Sequence, residues 1–215
     1  MVSKMLHAKH WQVFLMLFGI PFCIQLFAIN FILSTNEPFD TASLELYFKY
    51  APIIMLFVLV LTGSWFWSIG VGLQKIIPPK LRLNVKRFKI CLFIPAVYLL
   101  FFMWLFTQVT STIFAARGDV QPSLIFDWFA YIVPFHLFSM FCMLYCLYFI
   151  ARTIKTAELQ RVVNFGDCTG LLFSFWILPI GIWFIQPLIN ELVATHDLDS
   201  EDPKSSFMLL DDDLF

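Results

Sequence analysis

His136, Met140 and Met143 recur at i, i+4 and i+7, with Ser139 and Cys146 beside them. On a helix that spacing puts an imidazole and two thioethers on one face, and both are ligands for copper or haem iron. The same residues also suit a bundle without metal, with His136 hydrogen-bonded to a neighbouring helix while Met and Cys fill gaps. His7, His10 and His196 lie outside the apolar segments, so one copy of the chain supplies no pair of intramembrane histidines. A bound cofactor is therefore not expected.

Four further groups of residues carry possible chemistry or contact. Ser64, Ser68 and Gly72 repeat every four residues, with Gly63 and Gly70 nearby. Small residues at that spacing let helices approach closely, within one chain or across a homodimer seam. Gln25, Asn30, Thr62, Gln108 and Gln186 are uncharged polar residues inside apolar runs. Each needs a hydrogen-bond partner there, either a neighbouring helix or a polar pathway. Six Lys and Arg residues between Lys75 and Lys89 form a basic loop. Its bias suits orientation in a membrane and contact with anionic lipid, with no sign of nucleic acid. The chain closes on an apolar and acidic cluster: Phe207, Leu210, Asp211, Asp212, Asp213, Leu214 and Phe215. Such a segment fits a basic-rimmed apolar groove on a partner, anchored by Phe215 and its carboxylate.

The sequence lacks a phosphate-cradling glycine loop, His-Glu-x-x-His, Cys-x-x-Cys and Gly-x-Ser-x-Gly. It also lacks a pair of carboxylates within any apolar run, so no enzyme is expected.

The elements that must hold these residues are membrane helices. Of 215 residues, 60% are hydrophobic and only 13% are charged, against about a quarter charged in ordinary soluble domains. Five charge-free segments reach the roughly 20 residues that cross a bilayer core: Trp11 to Leu33, Ala51 to Leu73, Ile90 to Gln108, Trp128 to Ile150 and Gly170 to Ile189. The fold class expected is an all-α, polytopic bundle of about five spans over residues 1–190, with 191–215 an acidic, disordered tail. The first run reads as an uncleaved span. The five cysteines fall in or beside apolar runs, which argues against a disulfide framework.

Eleven of the fourteen basic residues share one side of this arrangement, while Lys49, Arg117 and Lys204 lie opposite with thirteen of the fifteen acids. The basic side, with the N-terminus, is then cytoplasmic in the cell membrane, and five crossings put the C-terminus outside. The fifth span is the one that could instead re-enter, because it carries Pro179, Gly181 and Pro187. Beyond the spans, Lys155–Glu158 and Glu158–Arg161 pairs extend the fourth helix, and Asp167 with Thr169 marks the start of the fifth.

The stretch Ile154 to Arg161, the turn Asn164-Phe165-Gly166-Asp167, and Leu178-Pro179-Ile180-Gly181-Ile182-Trp183 through Asn190 accompany Gly63-Ser64-Trp65-Phe66-Trp67-Ser68. Together they resemble a family of small, uncharacterised multi-pass bacterial membrane proteins. That resemblance implies a membrane bundle and carries no functional residue across. The expected role is an accessory or anchoring component of a membrane assembly, with the bilayer and a membrane protein or second copy as partners. A small transporter or channel subunit is the first alternative. A redox or metal-handling protein centred on His136 is the second.

Overall fold

A computed structural model describes residues 5–34, 41–115 and 122–201. Helix α1 runs His10–Leu33. Helix α2 spans Thr41–Trp67 and continues through a π turn, Ser68–Gly72, and a 3₁₀ turn, Leu73–Lys75. Helices α3 (Val85–Ala115), α4 (Pro122–Leu159), α5 (Phe165–Trp176) and α6 (Leu178–Glu201) complete the chain. The fold is all-α, and five of these helices (all but α5) are long and apolar enough to cross a membrane. This is an integral membrane protein.

Prolines shape the spans without ending them. Pro21 has no N–H for the preceding turn, and the π turn Leu15–Gly19 sits directly before it in α1; widening a helix by one residue relieves the clash of the ring with the carbonyl behind. Pro52, Pro95 and Pro134 lie inside α2, α3 and α4. Helix α4 has 38 residues, or roughly 57 Å at 1.5 Å per residue, well beyond a core of about 30 Å. Its last turns carry the Lys155–Glu158 pair at 2.8 Å. Arg161, expected to pair with Glu158, instead reaches Asp167 at 3.2 Å, because Gln160 adopts φ 49° and turns the chain out of the helix.

The fifth apolar stretch departs from the expected single span over Gly170 to Ile189. Asn164 caps α5, its side chain meeting the backbone of Asp167 while the Asp167 carboxylate accepts the Asn164 N–H at 3.0 Å. After only 12 residues α5 stops at Ile177, with φ −100° and ψ 60°. Pro179 explains the stop: it has no N–H to offer the Phe175 carbonyl, yet it fits the first turn of a new helix. Gly181 then allows the new helix to pack back on the old one, since a Cβ there would overlap the Ser174 carbonyl.

The direction of α6 follows from its partners. Trp183 meets His10 and Phe14, with ring centroids 4.7 and 5.8 Å apart, whereas Gln186 and Asn190 reach back to Ala8. Helix α6 therefore runs antiparallel to α1, and α5 with α6 forms a helical hairpin that ends where α1 begins. Residues 191–201, expected in a disordered tail, continue α6 as helix to Glu201.

The core is concentrated at this end. Trp65, Phe66 and Phe175 pack within 6.0 Å, and Phe88 stacks on Phe149 at 4.7 Å. Trp65, Ile69, Leu73, Ile150, Ile154, Ile182, Ile185 and Ile189 are buried. Toward the far end Phe22, Phe27, Phe31, Phe101 and Trp104 are exposed, as suits helices facing lipid.

Three outcomes follow. Gly181→Ala should destabilise the protein by about 1–3 kcal/mol, the usual range for forcing atoms into a packed site. Gly63→Ala, where an added Cβ meets nothing, should leave the melting temperature in detergent unchanged. The Asn164 N–H, and then Arg161, hold the Asp167 carboxyl below the ordinary carboxylate range. A depressed pKa contributes stability above the unfolded value that is lost as pH falls through the folded one. Melting measured from pH 7 down to pH 3 should therefore fall more steeply for the native protein than for Asp167→Asn.

Candidate functional site

The densest polar cluster lies where α6 meets the N-terminal segment. The Gln186 side chain is fully buried. Its Oε1 accepts the Trp65 indole N–H at 3.0 Å. Its Nε2 faces the carbonyls of Ala8 at 2.9 Å, Met5 at 3.2 Å and Leu6 at 3.4 Å, and the Asn190 Oδ1 at 3.2 Å. Two protons are shared among those four acceptors. Asn190 in turn donates to the Ala8 carbonyl at 3.1 Å. The cluster binds three parts of the chain that sequence order keeps apart: the segment before α1, the last turn of the α-helical part of α2 and the returning arm of the hairpin.

A second polar cluster closes the loop after α2. Gln74 is buried, and its amide donates to the Gly70 carbonyl and to Thr153 Oγ1, each at 3.3 Å. The Leu83 N–H donates to Gln74 Oε1 at 3.0 Å, and Arg82 Nε donates to the Ile77 carbonyl at 3.2 Å. These bonds fix the basic loop against α4.

The structure distributes the other candidates. His136 pairs through Nδ1 with the Tyr98 hydroxyl of α3 at 3.1 Å. Met140 is exposed, and Met143 lines a groove toward α2 and α3. The three thus stand in different surroundings, and among the described residues no group of three His, Cys, Asp or Glu is placed to hold a metal. Ser68 and Gly72 are buried, with the Ser68 hydroxyl donating to the Ser64 carbonyl at 2.8 Å. Gly70, beside this stripe, is closely packed, since an added Cβ would lie 2.6 Å from the Phe88 ring.

Gln25 bonds to Tyr47 in the outer half of α1 and α2. Asn30 donates to the Leu26 carbonyl at 3.1 Å, Thr62 lines the same groove as Met143, and Gln108 is exposed on α3. These groups lie at separate places rather than along one path. Phe207, Leu210, Asp211, Asp212, Asp213, Leu214 and Phe215 lie outside the described residues.

No known protein family, curated protein or solved structure matches the chain.

Sequence reasoning marks Gln186 as needing a partner but does not find the partner, because backbone carbonyls of a distant segment leave no residue signature.

Replacing Gln186 tests the cluster. Gln186→Leu strands the Trp65 N–H and removes the donor facing the carbonyls of Met5 and Leu6, while Ala8 keeps its bond from Asn190. An unsatisfied buried group costs about 1–3 kcal/mol, so the loss should exceed that of Trp65→Phe, which strands one acceptor. Melting in detergent should rank native protein above Trp65→Phe and both above Gln186→Leu.

Proposed function

We propose that this protein is a non-enzymatic component of a membrane assembly, which presents its C-terminal acidic segment to a partner on the cytoplasmic side of the cell membrane. The observation that carries this reading is the antiparallel return of α6 along the start of α1, fastened by Gln186 and Asn190.

Helix α5 has 12 residues, or roughly 18 Å of rise, too short for a core of about 30 Å. The hairpin therefore enters the bilayer and leaves on the side it came from. Trp176, Ile177, Ile180 and Phe184 are exposed around its turn, the property expected of a tip that meets hydrocarbon. Its emerging arm carries Glu191, Asp197, Asp199 and Glu201 to the face that holds the basic loops.

Charge supports the same topology. With the tail on that face, Lys204 joins the eleven basic residues already there, and of the fourteen only Lys49 and Arg117 remain opposite. A stronger Lys and Arg bias is what the orientation rule favours. The tail ending in Asp211-Asp212-Asp213-Leu214-Phe215 is then open to a soluble or membrane partner with a basic, apolar groove. The grooves of the bundle are lined mainly by apolar side chains, and its amides are scattered, so a solute path finds less support than a docking role.

Two measurements test the reading separately. A C-terminal fluorescent fusion that matures only in the cytoplasm should be bright, and a dark fusion of normally inserted protein would overturn the topology. A crosslinked pull-down from native membranes should capture a partner with the full chain and lose it when the chain ends at Ser205. Equal capture by both forms would remove the docking role from the tail.

A further inference from the structure

Two apolar grooves flank α3 and share one cation at their mouths. The first, about 520 Å³, lies between α2 and α3, with Leu59, Gly63, Trp67, Phe93, Pro95 and Ala96 among its walls. Pro95 and Gly63 both lie in its wall, and Gly63 helps to open it by leaving the α2 surface without a side chain. The second, about 710 Å³, lies between α3 and α4, lined by Ile90, Phe93, Val97, Tyr98, Phe135 and Phe138. Phe93 belongs to both and stands between them. Lys89 lines the second groove, and its Nζ rests 4.9 Å from the centroid of the Trp67 ring, which lines the first.

Lys86 stands one turn before Lys89, and both precede Phe93 and Val97 along the same face of α3. Among the described residues neither lysine forms an ion pair, whereas Lys155 and Arg161 do. The positive end of the α3 dipole adds to their field. Two uncompensated ammonium groups at one end of two diverging apolar grooves match a molecule with one anionic head and two hydrocarbon tails.

We infer that Lys86 and Lys89 hold the phosphate of an anionic glycerophospholipid whose two acyl chains lie in the grooves on either side of Phe93. The tails bury apolar surface that the bundle leaves open, and the lysines select the head by charge. Trp67 keeps the Lys89 side chain at the mouth through the cation–π contact. A zwitterionic lipid fits the same grooves but adds a positive headgroup amine to a site that is already cationic.

Native mass spectrometry of the full chain, released from detergent after equilibration with equal amounts of phosphatidylglycerol and phosphatidylcholine, reads the preference directly. The native protein should retain one phosphatidylglycerol at least tenfold over phosphatidylcholine. The double variant Lys86→Gln with Lys89→Gln should lose that preference, and Lys75→Gln with Lys80→Gln, in the same loop but away from the grooves, should keep it. Ala96→Trp, which fills the first groove and leaves every charge in place, should lower retention of both lipids. Equal retention of the two lipids by the native protein would overturn the inference. So would an equal loss in the two double-lysine variants, since loop charge alone would then suffice. Displacement of the lipid by millimolar inorganic phosphate would also defeat it, by showing that the tails contribute nothing.

Discussion

In hydrocarbon an amide has no water to fall back on, and the Gln186 side chain is the point where this constraint shapes the whole molecule. Its carbonyl takes the Trp65 proton and its amide faces the backbone before α1. Without Gln186 the buried Trp65 N–H would lose its partner, at about 1–3 kcal/mol for an unsatisfied buried group. The bonds fix the depth of the N-terminal segment, the rotation of α2 about its axis and the direction of α6. Around them the large side chains close into one core, with Trp65, Phe66 and Phe175 in mutual ring contact.

That core occupies one end of the bundle, and the difference between the two ends has a physical origin. Near the basic loop, side-chain amides and turns tie helices together: Gln74 joins α2, α4 and the loop, and Gly70 lets Phe88 approach α2. Farther along, Gln25 with Tyr47 and Tyr98 with His136 link helices, but most of the contact is through apolar side chains. Lipid solvates such side chains as well as another helix does, so packing there gains little from exclusion of solvent. The outer halves therefore expose Phe22, Phe27 and Trp104, and α3 is left with open grooves on both flanks.

Much of this was legible from the sequence. Helices α1 to α4 announce themselves as charge-free runs long enough to cross, and their polar ends follow from where Lys and Arg begin. The α5–α6 hairpin was harder to read, because Gly170 to Ile189 has the length and composition of an ordinary span. Pro179 reads equally well as a kink or as the first turn of a new helix. The distinction rests on Gly181 lying against the Ser174 carbonyl, a contact between backbone atoms that no side-chain pattern encodes. The spacing of His136, Met140 and Met143 was real, yet a shared helical face is about 100° wide or more. Here it divides between Tyr98, open surface and a groove.

The hairpin also bears on what a crossing fifth helix would require. A fifth helix running parallel to α1 would carry Gln186 away from Trp65 and from the carbonyls of Met5, Leu6 and Ala8, and Asn190 away from Ala8. Donors and acceptors on both sides of that separation would then face hydrocarbon, where few replacements exist. Burying the apolar faces of α6 in lipid would return little, since Ile182, Ile185 and Ile189 are already buried against the bundle. The same side chains that make this stretch apolar enough to span thus serve a returning arm equally well. Hydropathy measures how much apolar surface must leave water; the placement of a few amides decides which way the helix runs.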